Sequence, residues 1–233
     1  LTLNLTTKGG GSVSATPGKT GFLEGESVVL SAEAEKGWEL MGWRLNGEFV
    51  QSAVITHTFD KDLKAEAVFG TKFTLRAIPP NGGELSMSVE KPLYEFGEEV
   101  QVQSKANAGY YLATLSGKGF SSNLTPADFT ITSPGPTLAG LFLRIPSGKV
   151  TLSALAEGAG RIEIVENGTG NNLYNKGSEI VLRAVASEGS LFQGWSGDAE
   201  GQENEINVRL DKSKTVVARF DSGFVLSLES ENG

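Results

Sequence analysis

Apolar and polar residues alternate along most of this chain. Leu1, Leu3 and Leu5 are interleaved with Thr2, Asn4 and Thr6. Val28, Leu30, Ala32 and Ala34 share one face of a later segment, as do Ile180, Leu182, Ala184 and Ala186. Ala65, Ala67 and Phe69 match Val216, Ala218 and Phe220. A period of two belongs to β-strands with one buried and one solvated face, which antiparallel sheets accommodate and doubly covered parallel sheets do not. The longest candidate for anything helical is one turn at Pro126–Phe129. The expected fold class is therefore all-β, mainly antiparallel.

The strands recur in a fixed order. A strand running into a glycine turn reads LTLNLTTKGG from Leu1, FTLRAIPPNG from Phe73 and VTLSALAEGA from Val150. The next residue is glycine each time: Gly11, Gly83 and Gly160. An aromatic or apolar residue, a glycine and a second strand follow around Gly25, Gly97 and Gly177. A further glycine closes that strand at Gly37, Gly109 and Gly189. Both glycine series are offset by 72 and then 80 residues. Shared offsets at two separate landmarks mark an internal repeat, which overrides any domain count taken from length. Gly42-Trp43 and Gly194-Trp195 come next, then closing strands ending in Phe69, Phe142 and Phe220. After Phe220 the pattern restarts as FVLSLESENG. The expected organisation is module one at 1–70, a divergent module two at 71–146, module three at 147–220, and the first strand of a truncated fourth at 221–233.

The Gly-Gly and Asn-Gly pairs suit tight turns with positive φ, so Leu1–Lys8 and Ser12–Ala15 are expected to form a hairpin. A module of roughly 70 residues has a marginal core and gains from its neighbours. Phe69-Gly70-Thr71 leaves almost no linker. The expectation is an extended rod of small β-modules, each β-grasp-like or a small sandwich.

The third copy, GSLFQGWSGDAEGQENEINVRLDKSKTVVARF from Gly189 to Phe220, resembles the divergent internalin B-type repeat family. That family carries a G-x-x-F-x-G-W-S-G-D block followed by a D-x-x-K-T-V-x-A-x-F closing strand. The opening LTLNLTTKGGGSV and FLEGESVVLSA segments resemble it too. The second copy departs: Ala113-Thr114-Leu115 stands where the others have Gly-Trp, and Ser133-Pro134-Gly135-Pro136 replaces the Asp-Lys lead-in to the closing strand. The resemblance implies small β-rich modules, β-grasp-related in the better-known members, in arrays on large exported or surface-anchored bacterial proteins. The implied roles are adhesion, presentation or spacing, and no catalytic residue is implied.

Composition narrows the chemistry. With no cysteine among 233 residues, disulfides and thiolate metal sites are impossible. The net charge is −8 and no segment is basic, which argues against nucleic acid. No apolar run reaches the roughly 20 residues of a membrane helix.

Trp43 and Trp195 recur at one repeat position beside Leu40 and Phe192, so they are assigned to the core with Phe69, Phe142 and Phe220. Trp38 has Tyr110 and Ser190 as counterparts. A position that takes serine is expected to be partly exposed, which makes Trp38, Tyr110 and Tyr111 the candidate contact surface. The loop Ser196–Asn204 groups Asp198, Glu200, Glu203 and Asn204. These oxygen ligands would suit calcium, but the spacing is not that of an EF-hand and a solvated turn is the expectation. His57, the one histidine, is expected beside Thr56 and Thr58 or facing solvent, not in a triad. Lys64 or Lys214 could supply the amine of an isopeptide bond.

No catalytic, cofactor-binding or metal-binding residue is assigned, and the chain is not expected to be an enzyme. The expected role is a spacer or adhesion stalk, with a carbohydrate- or matrix-binding module of a secreted enzyme or adhesin as the alternative. Expected partners are an extracellular glycan or a host or matrix protein, with no nucleic acid and no membrane insertion. The expected state is a monomer at the bacterial surface or outside the cell.

Overall fold

A computed structural model describes residues 1–123, 125–167 and 172–222. The restarted strand at Phe224–Gly233 lies outside the described residues. Within them the protein is all-β and contains no helix. In place of the helical turn expected at Pro126–Phe129, Ala127–Phe129 lie in a strand.

The first copy contributes β1 (Leu3–Lys8), β2 (Gly11–Thr16), β3 (Ser27–Ala34), β4 (Glu39–Leu45), β5 (Glu48–Val50), β6 (Val54–Thr58) and β7 (Leu63–Thr71). One sheet runs β1-β7-β4-β5 and the other β2-β3-β6. The third copy repeats this with β16 (Lys149–Glu157), β17 (Gly160–Glu166), β18 (Leu173–Asn175), β19 (Ser178–Ala186), β20 (Ser190–Gly197), β21 (Glu205–Leu210) and β22 (Lys214–Ser222). Its sheets run β18-β16-β22-β20 and β17-β19-β21. Two facing sheets with no crossing helix make a small sandwich, not a β-grasp. The apolar side chains of both sheets meet between them, Leu30, Trp43, Ile55, Phe59 and Phe69 in the first copy and Leu182, Trp195, Val208 and Phe220 in the third.

Two strand relations differ from expectation. The first strand does not form a hairpin with the second. β1 pairs in parallel with β7, and β16 with β22, while β2 pairs with β3 in the opposite sheet. The glycines between β1 and β2 form an arch that carries the chain from sheet to sheet. The arch closes on an aromatic ring: Gly11, Gly83 and Gly160 each lie against the ring of Phe69, Phe142 or Phe220, leaving no room for a Cβ. The two ends of every copy therefore meet, which explains why a glycine at the first landmark accompanies a phenylalanine at the last.

The Gly-Trp landmark is a β-bulge. The ladder of β4 on β7 slips between Leu40 and Gly42, and that of β20 on β22 between Phe192 and Gly194. Gly42 and Gly194 have φ of 153° and 136°, values that favour glycine. The second copy contributes β8 (Thr74–Ile78), β9 (Gly83–Met87), β10 (Tyr94–Glu95), β11 (Glu99–Ala106), β12 (Tyr110–Gly117), β13 (Phe120–Ser122), β14 (Ala127–Thr130) and β15 (Thr137–Arg144). It keeps the bulge between Leu112 and Thr114 of β12 without the glycine. Its sheets run β13-β12-β15-β8 and β14-β11-β9, and buried Leu115 takes the tryptophan's position.

The chain forms two compact units that do not follow the repeat lengths. One comprises Leu1–Thr74, Lys91–Glu99 and Thr130–Thr137. The other comprises Leu75–Glu90, Val100–Phe129 and the described residues from Leu138 onward. Two loops of the second copy thus belong to the first unit. There β10 pairs antiparallel with the end of β7, Tyr94 opposite Thr71 and Glu95 opposite Gly70.

In the second unit β11 and β16 are buried on both faces, contrary to the expected single solvated face. Their inward residues are apolar except Ser104, whose N–H and hydroxyl bond the buried Thr125 hydroxyl. Their outward residues (Gln101, Gln103, Thr151, Ser153) are polar and buried, where the two copies meet. The Gln103 amide accepts from Ala156 N–H at 2.8 Å and donates to Ala156 C=O at 3.2 Å. Gln101 brackets Ile162 in the same way, at 3.2 and 3.5 Å. Each side-chain amide stands in for a neighbouring strand's peptide group, so the buried backbone stays paired.

Candidate contact surface

Trp38 follows the glycine that closes β3 and opens β4, in the first unit. It is only 8% exposed, which corrects the expectation of partial exposure. The indole lies flat against Gly10, where any Cβ would collide with its Cδ1 and Nε1. Its counterpart Tyr110 is half-buried in the second unit, with the Arg144 guanidinium 4.3 Å from the ring centre. Tyr111 is also half-buried and lies opposite Leu143. Trp38 and the two tyrosines thus belong to different units. Trp43 is 0% exposed, and Trp195, Phe69, Phe142 and Phe220 are buried as well.

The edge of Trp38 instead lines a groove of about 820 Å³ contained within the first unit. Gly9, Gly10, Gly11, Glu35 and Glu66 also line it. The opposite wall comes from the second copy's two loops, as Phe96 and Gly97 from one and Thr132 and Pro134 from the other. The Phe96 ring centre is 6.1 Å from that of Trp38, tilted by 57°, and Phe96 is 41% exposed.

Three sets of hydrogen bonds fix that wall. The buried Thr71 hydroxyl donates to Gly37 C=O at 2.8 Å and accepts from Gly135 N–H at 2.7 Å. The two loops bind each other through Gly97 N–H to Ile131 C=O and Ile131 N–H to Glu98 C=O, at 2.8 and 2.9 Å. The Glu95 carboxylate, next to Phe96, accepts from Arg44 at 2.7 and 2.8 Å and from Lys8 at 2.8 Å. Arg44 also donates to Glu66 at 3.2 Å. Burial pushes the Glu95 carboxyl up, but the bonds from Arg44 and Lys8 outweigh it and hold it below its ordinary value. The same bond to Glu95 raises Arg44. Both cations beside the groove are thus committed to protein carboxylates.

Sequence reasoning missed Phe96, Glu95, Arg44 and Thr71. One signal was available: Phe96 falls where the other copies have Glu24 and Lys176, an aromatic replacing a charge at a repeat position.

The remaining candidates have structural partners. Asp198 accepts from Thr215 N–H at 2.9 Å and pairs with Lys212 at 3.1 Å, and the Thr215 bond leads in holding its carboxyl below the ordinary range. Asn46 does the same work in the first copy, its Oδ1 accepting from Lys64 N–H at 2.9 Å. The acidic loop of the third copy therefore tethers its closing strand. Among the described residues no cluster of three or more His, Asp or Glu side chains is placed to hold a metal ion. Lys214 Nζ lies 3.1 Å from Asp211 Oδ1. The half-buried His57 ring packs edge-on to Phe59 at 5.1 Å, with Nε2 shielded and without a hydrogen-bond partner among the described residues, which corrects the solvent-facing expectation. Among the described residues no helix is long and apolar enough to cross a membrane.

Comparison with known proteins gives one family and places it three times. Neither the curated proteins nor the solved structures return a match. The divergent InlB B-repeat domain matches residues 1–73, 73–139 and 150–223. These matches span nearly the whole chain and coincide with three rounds of the same two-sheet pattern, so the protein belongs to the divergent InlB B-repeat family as three tandem copies.

Proposed function

We propose that the chain is a non-catalytic structural and interaction array of an exported or surface-anchored bacterial protein, serving as a spacer or adhesion stalk. Repeats of this family are typical of bacterial surface proteins, which supports an extracellular or cell-surface location. The observation that carries the reading is how consecutive copies are joined. Hydrogen bonds connect them, partly buried ones through Thr71 and Glu95 in the first unit and buried ones through Gln101 and Gln103 in the second. The copies share glycines, aromatics and aliphatic positions and have no polar cluster in common. We take the modules as 1–70, 71–146 and 147–220, with residues 221–233 opening a fourth.

Display on a bacterial surface between a wall anchor and an antibody tag tests this reading. The full chain should keep the tag accessible above the envelope, and an unrelated folded domain of single-module size should not. Equal accessibility of the two tags would defeat the spacer reading. The second reading, a carbohydrate- or matrix-binding module, is favoured by the groove between Trp38 and Phe96 alone.

A further inference from the structure

We propose that this groove is a binding site for a neutral oligosaccharide, an inference that rests on the adhesive half of the function proposed above. Its volume of about 820 Å³ lies within the range of roughly 300–1,000 Å³ usual for small-ligand sites. Three properties select the ligand. The exposed Phe96 ring, braced by Trp38, offers an apolar face of the kind that stacks on the C–H face of a pyranose. Glu35 and Glu66 are acceptors, and Thr7 and Thr132 add hydroxyls, a set suited to a ligand rich in O–H donors. Charge excludes the acidic polysaccharides. Lys8 and Arg44 are already bound to Glu95 and Glu66, which leaves acidic side chains to meet an anion.

The comparison between copies points to the same place independently. Phe96 departs from the charged residues at its repeat position, and Pro134 belongs to the Ser133–Pro136 segment that replaces the Asp-Lys lead-in. Both departures line the groove. Trp38 is likewise the largest residue at its position. Changes scattered along the sequence thus converge on one groove, whose second-copy wall Thr71 and Glu95 hold in place before any ligand arrives.

The test is titration of the full 233-residue chain with neutral hexose and N-acetylhexosamine oligosaccharides and with sulfated glycosaminoglycan fragments. Neutral oligosaccharides should bind, Phe96→Ala should weaken binding at least about tenfold, and Glu35→Gln should weaken it less. Glu35→Gln should keep the wild-type unfolding midpoint because its side chain is exposed, and Phe96→Ala, whose ring packs on Trp38, should lower it only slightly, so binding is compared well below both midpoints. Phe49→Ala, at an equally exposed ring outside the groove, should bind as wild type does. Three outcomes would each overturn the proposal: a folded chain that binds no neutral oligosaccharide at millimolar concentration, one that binds only sulfated chains, or one whose affinity Phe96→Ala leaves unchanged. Such failure leaves the tag-accessibility result untouched, so the two readings fail separately.

Discussion

At the scale of single residues, one repeat position carries two different hydrogen-bonding states. Trp43 and Trp195 occupy the same place after the bulge and are both buried. Trp195 Nε1 donates to Glu203 C=O at 2.9 Å, whereas Trp43 Nε1 is buried without a partner among the described residues. Replacement by phenylalanine removes similar volume at each site but breaks a hydrogen bond only in the third copy. Trp195→Phe should therefore cost about 1 kcal/mol more than Trp43→Phe, read from urea unfolding of each unit. Equal losses would mean that Trp43 has a partner in solution. The glycines make a second test. A Cβ on Gly11 would run into the Phe69 ring, whereas one on Gly18 would meet nothing closer than a backbone oxygen at 3.6 Å. Gly11→Ala should destabilise by about 1–3 kcal/mol, the usual cost of overpacking. Gly18→Ala should be neutral or stabilise by up to about 1 kcal/mol through the unfolded chain. If both variants melt together, the arch does not close on its phenylalanine.

At the scale of the strand, one outward-facing position serves three purposes. Ser31 of β3 bonds the Ser14 hydroxyl at 3.0 Å on an exposed surface. Gln103 of β11 is buried on Ala156, and Arg183 of β19 pairs with Glu205 at 2.6 Å. Gln103→Leu leaves both peptide groups of Ala156 unpaired and should cost about 1–3 kcal/mol. Ser31→Ala should stay within about 0.5 kcal/mol. Similar losses would show that the glutamine amide is not bridging the copies. This contrast marks the limit of what alternation reveals. The inward residues of β3, β7, β19 and β22 were legible because an apolar residue every second position has one plausible destination. The outward ones were not, since glutamine and serine read as polar whether water or another copy covers them. The parallel pairing of β1 with β7 was equally hidden, because it joins strands about 60 residues apart, and the glycines of the arch have the same composition as a hairpin turn. For the groove, the sequence offered Trp38 and the second copy's departures, but not that these meet.

At the scale of the molecule, a charge clamp is one of the ties that hold the first unit together, since Glu95 of the second copy is bound to Lys8 and Arg44 of the first. The clamp should respond to pH in one direction. A carboxyl held below its unfolded pKa contributes stability above that value, about 4.3 for glutamate, and loses the contribution as pH falls through the folded value. Glu95, Asp198, Asp211 and Asp62 are all lowered, so stability should hold from neutral pH down to the ordinary carboxylate range and fall below it. Glu95→Gln isolates the clamp. Its side chain has nearly the same shape but no charge to offer Arg44, so the first unit should melt earlier than wild type at pH 7. The gap should then close as acid neutralises Glu95 in the wild type. Trp38 and Trp43 both lie in the first unit, and a Trp195→Phe background makes their fluorescence its reporter. A gap that persists unchanged into strong acid would mean that Glu95 acts by packing alone. A gap that closes would show that the charge of Glu95, paired across successive copies, stabilises the first unit beyond what backbone pairing of β10 with β7 and the Thr71 bonds supply.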